Sequence, residues 1–224
     1  PLFGGSSGDG TRFARTSVAC DGEVMQNAAV LTCVRTRCGV KVFSIDNLTP
    51  TDRRMVVTRA DPEQRIVYDI NAENASHEYA RLLGKDPAQL DPFTFAAHPV
   101  VVRFGGRHHV RAIQRVTEDG ALVFFSAIDE GMVLTLADSE NMATHLSREL
   151  SALTNPVPPD TIIAFDCILR RIEAQQKQWT GDVSRVLADH NVVGFSTYGE
   201  QFSGLHINQT MTGVAIYPPG TEPR

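Results

Sequence analysis

Residues 192–217 read VVGFSTYGEQFSGLHINQTMTGVAIY. An apolar run breaks into a glycine, serine and threonine turn, and a second run, Val214-Ala215-Ile216, follows. Upstream, Thr161–Asp166 reads as a strand and the stretch from about Leu169 to Asp189 as one helix. With Val192–Ser196 and a last strand over Leu205–Tyr217, this predicts a βαβ unit closed by a hairpin strand. Such crossovers are right-handed, and ligands gather beyond the carboxyl ends of the parallel strands.

Here those ends are Asp166-Cys167 and Ser196-Thr197-Tyr198. Cys167, Arg170, Thr197 and Glu200 are therefore expected around one crevice. Strand alternation adds His206, Asn208, Thr210 and Thr212 as a polar row on one face. Burying such groups unpaired costs about 1–3 kcal/mol each. They must bond one another, face a ligand or water, or lie on a solvated edge strand. A cysteine–histidine–acid set of Cys167, His206 and Glu200 is the enzyme alternative; a buried structural cysteine is its plainer counterpart.

Outward from this unit, PLFGGSSGDG at residues 1–10 reads as a strand entering a glycine-rich turn with an acid, Asp9. It resembles VVGFSTYGEQ with its Glu200, so the ends of the chain suggest an internal repeat and two related α/β units. Gly4-Gly5-Ser6-Ser7-Gly8 fits the GxSxG expression but lacks the helix that a nucleophile elbow requires. Strands follow at Thr16–Cys20, Ala28–Val34 and Lys41–Ile45, with Asp21-Gly22 as a hairpin turn. Thr49–Asp52, with Pro50, marks the boundary to a second unit.

That unit opens with strands Met55–Thr58 and Ile66–Ile70 around the turn Ala60-Asp61-Pro62. A helix from about Ala72 to Leu83 is closed by Gly84. Val100–Phe104, His109–Val116, Leu122–Ala127 and Met132–Leu136, with turns at Gly105-Gly106, Asp119-Gly120 and Glu130-Gly131, predict an antiparallel meander. A helix over Ser139–Leu153 carries Met142, Leu146, Leu150 and Leu153 on one face, and the prolines of Asn155–Pro159 stop it. The tail is expected to be disordered. The fold class is thus mixed α/β.

The chain has 224 residues, enough for one large or two small domains with a real core, and its formal net charge is −5. That balance argues against general nucleic-acid binding. The longest apolar run, Ala28–Val34, is far short of a membrane span. Cys20, Cys33, Cys38 and Cys167 form no CxxC pair, which points to reduced thiols in the cytoplasm rather than a zinc site. The chain starts at Pro1, as if already inside a strand, and reads as a fragment. Arg103, Arg107, Arg111 and Arg115 with His108-His109 form a local basic hairpin; Arg111 and Arg115 share a face that could hold an anion or a haem propionate, with a solvated surface as the plainer reading. His98 and Tyr79 lie in apolar settings, where such residues usually pack.

The segment VVGFSTYGEQFSGLHINQTMTGVAIY resembles the end of a FIST C domain. PLFGGSSGDG, with FARTSVACDGEVMQNAAVLTCV behind it, resembles the closing third of a FIST N domain. RRMVVTRADPEQRIVYDINAENASHEYARLLG, HHVRAIQRVTEDGALVFFSAIDEGMVL and DCILRR also look like FIST C segments. The resemblance implies residues 1–48 as the end of FIST N, 49–218 as FIST C and 219–224 as the disordered tail. It implies an intracellular sensory module that binds a small ligand, not an enzyme, and that regulates a histidine kinase or a cyclic-di-GMP enzyme. A homodimer is a further expectation; nucleic acid and membrane are not expected partners. FAAHPVVVRF and VRAIQRVTEDG resemble the bacterial subset that binds haem and senses nitric oxide. That likeness implies haem as cofactor, with His98, Tyr79 or His206 as iron ligand by their chemistry and no other metal. His108-His109 stand where that subset has aromatic residues. An amino acid or similar metabolite is the alternative ligand, and a ligand-free interaction scaffold a third reading.

Overall fold

The computed structural model describes residues 1–104 and 106–221, with Arg107 described by its backbone alone. The chain forms two compact units: residues 1–46 with 142–224, and residues 47–141. The first unit contributes β1 (Phe3–Gly5), the short hairpin β2 (Val18–Cys20) and β3 (Glu23–Met25), and β4 (Cys38–Ile45). The hairpin turns on Asp21 and Gly22, both at positive φ (52° and 81°), the geometry that suits strand twist. Its second strand is Glu23–Met25. Residues 28–34, expected as a strand, have no regular structure, and Leu31 and Val34 are more than three-quarters exposed. No strand among the described residues pairs with them.

In the second unit come β5 (Leu48–Asp61), β6 (Ile66–Ile70), β7 (Glu73–Asn74), α1 (Ala75–Leu83), α2 (Pro92–Ala97), β8 (Val100–Phe104), β9 (Arg107–Arg111), β10 (Ile113–Val116), β11 (Leu122–Phe124) and β12 (Val133–Ser139). Thr49–Asp52 lies within β5, so the expected linker is strand: its partners on β12 extend the ladder to Leu48↔Ser139. Met55 and Val57 point into the core while Arg54, Val56 and Thr58 stay outside, the alternation of a half-buried strand. The Asn74 side chain caps α1 by accepting from His77 N–H, and Gly84 ends it in the left-handed region.

All pairings in this eight-stranded sheet are antiparallel, but the spatial order is β10-β11-β6-β5-β12-β8-β9 rather than sequential. The stretch expected as one strand, His109–Val116, breaks at Ala112, so β9 pairs with β8 while β10 pairs with β11. The two edges of the sheet are consecutive in the chain, which requires the sheet to curl. Its concave side holds Met55, Val67, Ile70, Tyr79, Phe95, Val100, Val102, Leu122, Phe124 and Leu134. Gly105, half of the expected Gly105-Gly106 turn, lies outside the described residues.

The chain returns to the first unit with α3 (Met142–Ala152), β13 (Thr161–Cys167), α4 (Ile168–Gln176), α5 (Thr180–Asp189), β14 (Val192–Thr197), β15 (Glu200–Phe202), β16 (Leu205–Ile207) and β17 (Met211–Pro219). The four-stranded sheet runs β14-β13-β17-β4, with β13 and β14 parallel and the rest antiparallel. Met142, Leu146 and Leu150 of α3, with Leu153 just past its end, are buried against it, as their spacing predicts.

Two departures shape the site. The single long helix is two, because α4 ends in a Schellman motif. Trp179 N–H donates to the Ala174 carbonyl and Gln178 N–H to that of Gln175, with Gln178 at φ 60°. The single last strand is also two, because Gln209 adopts φ 52° and separates β16 from β17. That turn lets β16 leave the large sheet and join β15 and β1 in a small three-stranded one. At the other end, β17 continues through Pro219, which pairs with Cys38, so the start of the expected tail is strand; residues 222–224 lie outside the described residues.

Candidate functional site

The carboxyl ends of β13 and β14 are the focus, and the two faces of their sheet differ. Register places Asp166 opposite Ser196 and Cys167 opposite Thr197. Alternation then sends Asp166 and Ser196 toward the helices, and Cys167 and Thr197 toward β15.

On the outer face the polar groups close on one another. Glu200 is fully buried. Thr197 Oγ1 donates to its Oε1 at 2.6 Å, and Thr210 Oγ1 donates to its Oε2 at 2.7 Å. Burial pushes the Glu200 carboxyl up to about 8, against the two threonine hydrogen bonds, which favour the charged form. Asn208 Nδ2 donates to the Tyr198 carbonyl at 3.1 Å, and Thr212 Oγ1 donates to that of Gly4. Thus Asn208, Thr210 and Thr212 of the polar row are buried and bonded internally rather than solvated, and His206 alone of the four is exposed.

Cys167 is buried with them. Its N–H donates to the Thr210 carbonyl, and burial and the Glu200 charge push its thiol well up. His206 is on exposed β16, where Nδ1 meets Gln201 Nε2 at 2.9 Å, and its ring edge lies over Gly199. The nucleophilic set is therefore not assembled: the thiol is held protonated, and both Glu200 oxygens are engaged by threonines. Ser6 serves the backbone instead of an elbow: Ser6 N–H donates to the Gly199 carbonyl and Tyr198 N–H to that of Ser6. The Tyr198 hydroxyl gathers the loop after β1. It accepts from Asp9 N–H at 2.9 Å, bonds the Asp9 carboxylate, and its ring stacks on Phe13 at 4.7 Å. That bond and the Ala14 and Arg15 amides hold the Asp9 carboxyl at about 2.

The helix face is open. A cleft of about 220 Å³ is lined by Ala164, Asp166, Leu187, Val192, Gly194, Phe195, Ser196 and Met211. Arg170, buried on α4, holds one Asp166 oxygen at 2.7 Å through Nε. Burial raises the Asp166 carboxyl, with the Arg170 charge opposing. Gly194 is required at the floor, because a Cβ there would stand 1.8 Å from the Ala164 carbonyl oxygen. The cleft presents a carboxylate and a hydroxyl at one end of an apolar slot. Of the residues grouped by sequence, Cys167, Thr197, Glu200, Asn208 and Thr210 come together, Arg170 lies across the sheet, and His206 stands at the surface. Asp166 and Ser196 were visible as strand ends; the Asp166-to-Arg170 spacing, four residues across a strand-to-helix junction, was the sign of their pairing.

Of the side chains named for haem, Tyr79 does not fit that group. Tyr79 is fully buried in the second unit's core, stacks near Phe95 and donates its hydroxyl to the His98 carbonyl at 2.6 Å. Burial raises its phenol, which disfavours the phenolate that would ligate iron. His98 N–H caps α2 on Thr94, and His206 is engaged with Gln201. Among the described residues no helix is long and apolar enough to cross a membrane.

No curated protein and no solved structure matches the chain. Family models do: the FIST N domain over residues 1–73 and the FIST C domain over residues 75–203. FIST domains are sensory domains of signal transduction. With more than half of its length matched by the FIST C domain alone, the chain belongs to the FIST family.

Proposed function

We propose that this FIST chain senses a small amino compound, of the size of a free amino acid, in the cleft beside β13 and β14. The observation that carries the reading is the pairing of a carboxylate, whose side chain is 22% exposed, and a hydroxyl with an apolar slot at the carboxyl ends of two parallel strands, where α/β sheets bind ligands. The Asp166 oxygen not held by Arg170 takes the ligand ammonium, Ser196 adds a hydrogen bond, and Leu187, Val192 and Met211 cover the apolar part. The volume is below the roughly 300–1,000 Å³ of drug-sized pockets, which favours an amino acid over a porphyrin.

Arg170 fixes the Asp166 rotamer in advance, so little order is lost on binding. Signalling requires that the ligand bind one conformation more tightly than another. Leu187 is on α5, so occupancy bears directly on how that helix sits against the sheet. The family membership supports transmission to a partner signalling protein, a histidine kinase or a cyclic-di-GMP enzyme. Thermal-shift screening with free L-amino acids and simple primary amines tests the reading. A saturable rise in melting temperature with an apolar amino acid, lost in Ser196→Ala/Leu187→Trp, is expected. A panel that leaves the transition unmoved refutes it.

A further inference from the structure

The second unit contains one guanidinium that its surroundings do not explain. Arg111 is half-buried at the end of β9, opposite Val100, a residue of the concave core. Its Nε is buried and has no hydrogen-bond partner; its Nη1 reaches only the carbonyl of its own neighbour, Val110, at 3.1 Å. Among the described residues no carboxylate forms an ion pair with it. The exposed Arg59 and Arg81, by contrast, each hold an acid at 2.6 Å.

A second orphan flanks a backbone contact that Arg111 also flanks. Ile113 pairs with Phe124, and Phe125 N–H donates to the Ala112 carbonyl at 3.0 Å. Arg111 and Ser126 are the residues immediately outside this bonded pair, and the Ser126 Oγ is likewise buried without a partner. Arg65 Nη1 donates to the Phe125 carbonyl at 3.3 Å, so another cation stands one residue away. Buried donors are normally satisfied, and two orphans flanking the same backbone hydrogen bond point to a missing acceptor.

We propose that Arg111 and Ser126 form an oxyanion subsite of the second unit that takes the carboxylate of a small ligand. A guanidinium edge and a hydroxyl offer planar, charge-assisted donors that match one carboxylate. Binding would supply the acceptor that Nε and Oγ lack and restore the charge state that burial disfavours at Arg111. Arg115, on the following strand β10, is exposed and serves as a solvated control. The subsite is tested separately from the amine cleft in the first unit, because acetate has no ammonium to enter that cleft and its binding is read at Arg111 itself.

The test is NMR of the Arg111 Nε–H resonance in the whole chain, titrated with acetate and, in parallel, with inorganic phosphate at fixed ionic strength. The expected result is a saturable acetate shift, weakened about tenfold or more in Arg111→Gln and several-fold in Ser126→Ala, and unchanged in Arg115→Gln. Should Arg111→Gln fail to fold, Ser126→Ala carries the comparison. Absence of a saturable acetate shift, tighter binding of phosphate than acetate, or equal loss in Arg115→Gln would overturn the proposal.

Discussion

The two faces of the sheet at the ends of β13 and β14 use the same kinds of side chain to opposite ends. On the outer face, Thr197 and Thr210 close on Glu200 and leave it fully buried. On the helix face, Asp166 and Ser196 stand at the mouth of a cleft, and among the described residues Arg170 holds one Asp166 oxygen and no side chain holds the other. A polar row in a sequence is thus not yet a binding site. What separates a latch from a pocket is whether the donors and acceptors already satisfy one another.

The largest expected effect breaks both faces at once. Gly194→Ala puts a Cβ against the Ala164 carbonyl and forces β14 away from β13. A loss of about 3 kcal/mol or more is expected from chemical denaturation, together with loss of ligand binding. An unchanged midpoint would mean that the strands are not so closely apposed.

Next is the latch. Thr210→Val removes the donor to Glu200 Oε2 while keeping the shape, and should cost about 1–3 kcal/mol. Glu200→Gln reports the charge of the same group. Its carboxyl is near 4.5 when unperturbed and about 8 when folded, so the folded chain holds a proton that the unfolded chain has released between those values. Stability from this group is therefore full below about pH 4.5 and falls as pH rises to about 8, by at most about 1.4 kcal/mol per unit. Glu200→Gln should remove that slope, since an amide can accept from one threonine and donate to the other. A wild-type slope that survives in the variant would place the proton elsewhere.

The smallest effect on stability should come from the open face. Leu187→Trp fills the cleft, shifts stability by less than about 1.5 kcal/mol, and abolishes amino-compound binding. Retained binding would move the site away from the cleft.

Much of this architecture was readable in the chain itself. The βαβ unit followed from two apolar runs separated by a helix-length segment, and α1 and α3 from their spacing and from Gly84. The face of the polar row was less accessible, because it turns on Gln209, a non-glycine residue at positive φ that only tertiary packing selects. The curl of the second unit depends on Ala112, an ordinary residue in an apparently continuous strand. Its spatial strand order comes from long-range pairing, which local pattern does not encode. The strand ends that flank the cleft were legible, but the pairing of Asp166 with Ser196 was not, because the two stand on strands thirty residues apart, while the polar row from His206 to Thr212 falls on one short stretch.

The most direct test is to map amide shifts across the first unit as the chain is saturated with the amino acid that most raises its melting temperature. The expected result places the largest changes at Asp166, Leu187, Gly194 and Ser196, with Thr197, Glu200 and Thr210 nearly still, and a loss of the changes in Asp166→Asn. Largest changes at Glu200 and its threonines, persisting in Asp166→Asn, would contradict the account and make the latch the pocket.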